Sequence, residues 1–334
     1  ISNLDGVSVG EIHSDLSAGE GLDLTKAKSQ QANSDSSYFG LLLAGAFAIP
    51  GERARKWLSL PNPNGHPNSD VVRPIFNGTD VTGRSADRWV IDFGPTMAQE
   101  DAMLFEAPFA EVLANIKPVR LANREKSRAE YWWRLGRTRP ELRQKLAQLH
   151  RFIATVETAK HRFFVWLPNG IAPEHRLVVV PRSDDATFGI LSSRFHVTWA
   201  LAKGGTLEDR PVYNTTQCFE TFPFPAGLTP RDTANATPTG PQAEAIAAAA
   251  QRLNALREAW LNPPEWVDWV RTPEEEKAGF PLRPVAKPGH EAELKKRTLT
   301  NLYNARPSWL HLAHQQLDLA VAAAYGWADY PPEM

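Results

Sequence analysis

RFIATVETAKHRFFVWLPNGIAPEHRLVVVP, residues 151–181, holds three short runs rich in β-branched and aromatic side chains, at 151–157, 161–168 and 175–181, split by the turn signal PNG at 168–170. Runs of this kind suit a pleated, half-buried surface, and Pro and Gly between them reverse the chain, so the stretch predicts neighbouring β-strands. On its N-terminal side, Thr138-Arg139-Pro140-Glu141 sets a hydroxyl at the N-cap, Pro in the first turn and Glu at the third position. With Leu142, Leu146 and Leu149 on one face, this predicts a capped helix. Farther back, Met103, Leu104, Phe109, Val112, Leu113 and Ile116 recur at helical intervals across 96–117, interrupted at Pro108 and ended by Lys117-Pro118. Between 39 and 95, apolar runs alternate with IPGE (49–52), PNPNG (61–65) and FNGTD (76–80), which predicts irregular β structure with long loops. Residues 1–38 are polar and Ser/Asp/Gly-rich and predict an extended connector.

On the C-terminal side, Phe188, Leu191, Phe195, Thr198 and Ala202 predict one helix closed by Gly204-Gly205. A Pro/Thr/Ala/Gly stretch at 226–242 predicts a linker. Beyond it, over 243–334, Ile246, Ala250, Leu253, Leu256 and Trp260 trace one amphipathic helix, and Leu310, Ala313, Leu317, Ala320, Val321 and Ala324 another. The expected fold is α+β: a twisted, irregular β-rich domain over 39–225 braced by helices, then a helical C-terminal region. There is no internal repeat.

The 334 residues, 42% hydrophobic, suffice for a sizeable core. A net charge of −1 taken alone argues against a nucleic-acid binder, but the average hides an asymmetry: residues 117–162 carry +9 and the remainder −10. Aromatics interleave with that basic block at Tyr131-Trp132-Trp133 and Phe163-Phe164. Lys and Arg neutralise phosphates and Arg reaches guanine edges, so the block predicts a nucleic-acid footprint. The competing expectation is a solvated helix face whose Arg side chains pair with acids elsewhere, and the two Trp are expected to pack rather than wedge between bases. A single cysteine, Cys218, excludes a disulfide framework within the chain and multi-Cys zinc sites. No apolar run approaches the ~20 residues of a membrane span, so no membrane partner is expected. A chain that opens on Ile1 without a leader is expected to be cytoplasmic and a piece of a longer protein.

No catalytic constellation stands out. Asn262-Pro263-Pro264-Glu265 follows an amphipathic helix rather than a strand and predicts a helix stop. Gly19-Glu20-Gly21 lies in the polar connector and Gly204-Gly205 at a helix end, so no glycine loop suited to S-adenosylmethionine is expected in this chain. His311 and His314 share a helix face without a third ligand, and His161 and His196 are expected to be satisfied within the fold. Cys218 has no positioned base. Asp184-Asp185 predicts a turn; as a carboxylate pair it leaves a metal-dependent nuclease as a weaker alternative.

The order of RPIFNGTDV (73–81), RWVIDFG (88–94), YWW (131–133), the 151–168 stretch, FGILSSRFHVTWAL (188–201), YNTTQCFETFPFP (213–225), LNPPEW (261–266) and RTLTNLYNARPSWL (297–310) resembles the C-terminal part of MmeI-like DNA adenine methyltransferases of restriction-modification and phage-defence systems. GILSSRF and FPFP are also distantly similar to elements of type I specificity subunits. The resemblance implies a target recognition domain over 39–225 followed by the family's helical region. It further implies double-stranded DNA as a partner, together with the methyltransferase domain of the same polypeptide, which would bind S-adenosylmethionine and methylate adenine N6. Within that frame, phosphate contacts are expected from Lys117, Arg120, Arg124, Lys126, Arg128 and Arg134. Base readout is expected from Lys160, His161, Arg162, Arg194, Asn214, Thr215 and Thr216. The alternative is a scaffold whose C-terminal third docks partner subunits.

Overall fold

In the computed structural model, which describes residues 2–4, 7–9, 26–208, 210–234 and 236–331, the 151–181 stretch forms three strands of a four-stranded antiparallel sheet. Its strands are Tyr38–Phe39, Leu177–Val180, Arg151–Val156 and Val165–Pro168, in that order, with Val179 opposite Ala154 and Ile153 opposite Trp166. A second sheet orders Ala48–Pro50, Arg88–Ile91, Val72–Phe76 and Ala172–Pro173. The last pair is parallel, and it ties the two sheets together through the 168–177 connection. The architecture is α+β, as the alternation of strand runs and helical spacings predicts.

Two apolar cores result. One lies around the second sheet and takes in Trp132 and Trp133. Both indoles are buried, with their N–H groups donating to Gln99 Oε1 (3.2 Å) and the Met97 carbonyl (3.1 Å). The other core joins the 151–180 sheet to the helices Asp185–Ser192, Pro241–Leu261 and Ser308–Ala324. Gly189 marks their closest approach, since a Cβ there would stand 2.6 Å from Ile246 Cγ2. Helices on both sides of 226–242 therefore share one core, and that stretch itself buries Leu228 and Thr233. The hairpin of Val267–Val270 with Arg283–Ala286 lends Phe280 to the other core, where it meets Trp89 edge-on at 5.1 Å.

Three local expectations are corrected. The helix predicted over 188–202 is two helices, Asp185–Ser192 and Arg194–Lys203, because Ser193 between them is extended and fully buried, its hydroxyl donating to the Ile190 carbonyl at 2.7 Å. The helix Pro140–Leu146 is preceded by Arg139 in the left-handed region at φ 52°, without a side-chain cap, so Thr138 does not cap it. The interruption expected at Pro108 falls instead at 103–105, between the helices Gln99–Ala102 and Glu106–Asn115, since Pro108 fits the first turn, where its missing N–H costs nothing; Lys117-Pro118 follows the end of the second and opens a short helix, Lys117–Leu121. Of the expected 1–38 connector, residues 1, 5, 6 and 10–25 lie outside the described residues; Asn33 is buried, its amide donating to the carbonyls of Phe219, Glu220 and Phe222.

Candidate nucleic-acid interface

Sorting the basic block by what each side chain touches separates structural cations from exposed ones. Arg120, 2% exposed, donates to the Leu43 carbonyl at 3.1 Å and lies over the Phe47 ring; burial lowers its pKa. Arg134 donates to the carbonyls of Pro95, Thr96 and Met97 and is flanked by the rings of Tyr131 and Trp133. Arg143 pairs with the buried carboxylate of Asp92 at 2.6 Å, and Arg151 with Asp185 at 3.0 Å. These side chains hold loops to the sheets, because carbonyls that lose water need donors. Arg120 and Arg134, expected on phosphates, are corrected to structural positions. Arg124 and Lys126 are exposed. Lys117 is half-buried, its ammonium 5.0 Å from the Trp132 ring centroid, and Arg128 is paired with Glu125 at 2.8 Å. The remaining surface cations around 117–130 thus lie on two short helices, Lys117–Leu121 and Lys126–Glu130, and the turn between them.

The expected readout residues divide in the same way. Arg162 is 6% exposed; its guanidinium donates to Thr155 Oγ1 (3.0 Å), to the Val156 carbonyl and to the Pro211 carbonyl (3.2 Å). Burial lowers its pKa to about 10. No face is left for a base, so Arg162 is corrected to a clamp between the 155–157 strand end and residue 211. Asn214 caps the turn Thr215–Phe219, its Oδ1 accepting from the Thr216 amide (3.0 Å) and hydroxyl (2.7 Å), with Thr215 half-buried and Thr216 exposed. Lys160 and His161 both reach Asn304 Oδ1, at 2.8 Å each.

Lys160, His161, Arg162 and Arg194 come together on one cleft of about 740 Å³, whose opposite wall is C-terminal: Tyr303, Arg306, His311, His314, Gln315 and Asp318. Asp318 Oδ1 accepts from the Arg194 amide at 2.7 Å, and burial raises its carboxyl pKa to about 6. His314 bonds the Tyr303 hydroxyl at 3.0 Å, and burial, with Arg257, Arg306 and His311 nearby, lowers its pKa to about 3. Sequence reasoning missed this wall, which lies more than a hundred residues from Lys160. It also missed the exposed hairpin of Thr206–Leu207 with Arg210–Pro211, where Glu208 is left-handed at φ 58° and pairs with Arg210 at 2.7 Å. The Gly204-Gly205 pair before this hairpin was the available signal.

The other constellations have local roles. Asp184 caps the helix Asp185–Ser192 through the Thr187 amide, and Asp185 pairs with Arg151. Among the described residues, no group of three or more His, Cys, Asp or Glu could hold a metal ion. His196 is fully buried against the Tyr213 hydroxyl at 2.8 Å, and burial lowers its pKa to about 3. Burial raises the Cys218 thiol. Asn262 ends the helix Pro241–Leu261 and bonds Glu258. The strand Val72–Phe76 runs through Asn77 into a helix at Gly78, but the Asn77 side chain takes the amides of Thr79 and Asp80, and Val156 Cγ1 is 2.8 Å from where a Gly78 Cβ would stand. That turn does not fit S-adenosylmethionine. No helix among the described residues is long and apolar enough to cross a membrane.

A family model described as "MmeI, target recognition domain" matches residues 52–226, more than half of the chain. The chain belongs to this family. The match covers both sheets apart from their Tyr38–Phe39 and Ala48–Pro50 strands, together with the 117–130 cations and the hairpin before Tyr213, and ends at the start of the Pro-rich stretch. A solved structure described as the type IIL restriction-modification enzyme MmeI in complex with DNA shares the fold, with a TM-score of 0.66 at 18% identity. The similarity covers 98% of this chain and 37% of that enzyme, so the chain spans little more than a third of its length. No curated protein matches the chain by sequence.

Proposed function

We propose that the chain is the sequence-specific double-stranded DNA recognition module of a site-specific DNA adenine-N6 methyltransferase in a restriction-modification or phage-defence system. The observation that carries the reading is membership of the target recognition domain family, and the cations that remain exposed once the structural arginines are set aside support it. Enzymes that modify a base must extrude it from the duplex, so a second lobe has to grip and read the DNA. Here Arg124 and Lys126, with Lys117 and Arg128 beside them, supply phosphate contacts that fix register. The 157–162 loop and the 206–211 hairpin, joined through Arg162, present polar groups to base edges. The methyltransferase domain of the same polypeptide is the second partner and the holder of S-adenosylmethionine, and no catalytic residue is assigned to this chain.

Binding of a duplex weakens with salt in proportion to the phosphates neutralised, with a slope of about −0.9 per contact. The chain therefore binds duplex with a steep salt dependence, and the double variant Arg124→Ala, Lys126→Ala lowers the slope by about two. Fluorescence anisotropy across a salt series measures both. Binding indifferent to salt would remove the phosphate grip from the account.

A further inference from the structure

We propose that the cleft between the recognition region and the C-terminal helices is a binding site for a phosphate ester. Its walls come from chain segments far apart in sequence: Lys160 and Arg194 on one side, Arg306 on the other. Arg194 and Arg306 differ from the structural arginines above, because neither guanidinium donates a hydrogen bond or forms an ion pair among the described residues. Ser192 on the cleft wall is 3% exposed, and its hydroxyl is buried with no hydrogen-bond partner. That hydroxyl is a donor without an acceptor.

One acid, Asp318, lines the cleft against the permanent cations Lys160, Arg162, Arg194 and Arg306, and one of its oxygens is already taken by the Arg194 amide. The excess is positive, the free donors are guanidinium forks and a hydroxyl, and such donors match a tetrahedral oxyanion with several acceptor oxygens. At about 740 Å³ the cleft exceeds what an inorganic phosphate fills and has room for the sugar of an ester. Arg306 also stands at φ 40°, directly before Pro307, a left-handed conformation unfavourable for a non-glycine residue, and its side chain lines the cleft.

The phosphate can belong to the backbone of a bound duplex or to a free nucleotide, and the proposal rests on the DNA reading only for the first source. Arg306→Gly keeps the left-handed turn and removes the cation, so the variant stays folded. Calorimetric titration of the full chain with inorganic phosphate and with deoxyadenosine monophosphate, beside anisotropy with a labelled duplex, separates the sources. With a duplex source, Arg306→Gly weakens duplex binding about tenfold and lowers the salt slope by about 0.9. With a nucleotide source, phosphate and nucleotide bind the parent chain and bind Arg306→Gly about tenfold more weakly, while duplex affinity holds. Ser192→Ala weakens the same ligand to a smaller extent. A parent chain that binds phosphate but no duplex upholds the site and sinks the DNA reading. A parent chain that binds none of the three, or equal binding of all three by parent and Arg306→Gly, overturns the site.

Discussion

Replacing Arg162 with Met lowers the stability of the folded chain by about 3 kcal/mol, because buried carbonyls that lose their donor each cost about 1–3 kcal/mol, partly offset by removal of a desolvated charge. The guanidinium supplies the Val156 carbonyl, the Glu157 carbonyl (3.4 Å) and the Pro211 carbonyl (3.2 Å) at once, and it lies over the Tyr213 ring at 5.0 Å. Lys in its place has one ammonium and no fork, so Arg162→Lys recovers only part of the loss. The midpoint of urea unfolding reports the change. DNA affinity falls as well, through the displaced 157–162 loop and 206–211 hairpin. A variant as stable as the parent that has lost only DNA affinity would return Arg162 to the readout role that its sequence context predicts.

Acid weakens the fold from pH 6.5 downward. His196 and His314 have pKa values lowered to about 3 in the folded chain, against 6.5 for an ordinary imidazole. The unfolded chain therefore binds two protons that the folded chain refuses, and stability falls with decreasing pH between 6.5 and about 3, by about 1.4 kcal/mol per unit for each ring. Asp318 acts in the opposite sense. Its carboxyl, raised to about 6 from 3.8, is protonated first in the folded state and returns stability between pH 6 and 3.8. At pH 4.5 the two histidines cost about 5 kcal/mol relative to pH 7 and Asp318 restores about 2, a net loss of about 3 kcal/mol. Urea unfolding at the two pH values measures it, and His314→Gln removes about half of the histidine contribution. Equal midpoints at pH 7 and 4.5 would mean that these rings are protonated inside the fold.

The strands of 151–181 were legible because β-branched and aromatic runs between Pro and Gly signal a sheet locally, and the Ile246 and Leu310 helices because their apolar faces repeat at helical spacing. The break at Ser193 was not, since a single extended residue between two helical runs leaves the apolar spacing intact. The false cap at Thr138 has a similar origin: the capping motif is local, whereas the helix start shifts to Pro140 behind a left-handed Arg139 that donates to the Gly40 carbonyl at 3.2 Å. Charge along the chain located the basic region and could not sort it. Whether an arginine meets a phosphate or a carbonyl depends on what lies across the fold, as Leu43 does for Arg120 and Pro211 for Arg162. Arg306 and Ser192 carry no sequence signal, because the cleft exists only after the last two helices dock on the recognition region.

The central claim, that this chain reads the sequence of double-stranded DNA, is tested most directly by selecting bound duplexes from a random library with the full chain at moderate salt and sequencing them. One defined sequence is enriched, with affinity well above that of the unselected pool. Binding without enrichment, or no binding at any salt, would contradict it.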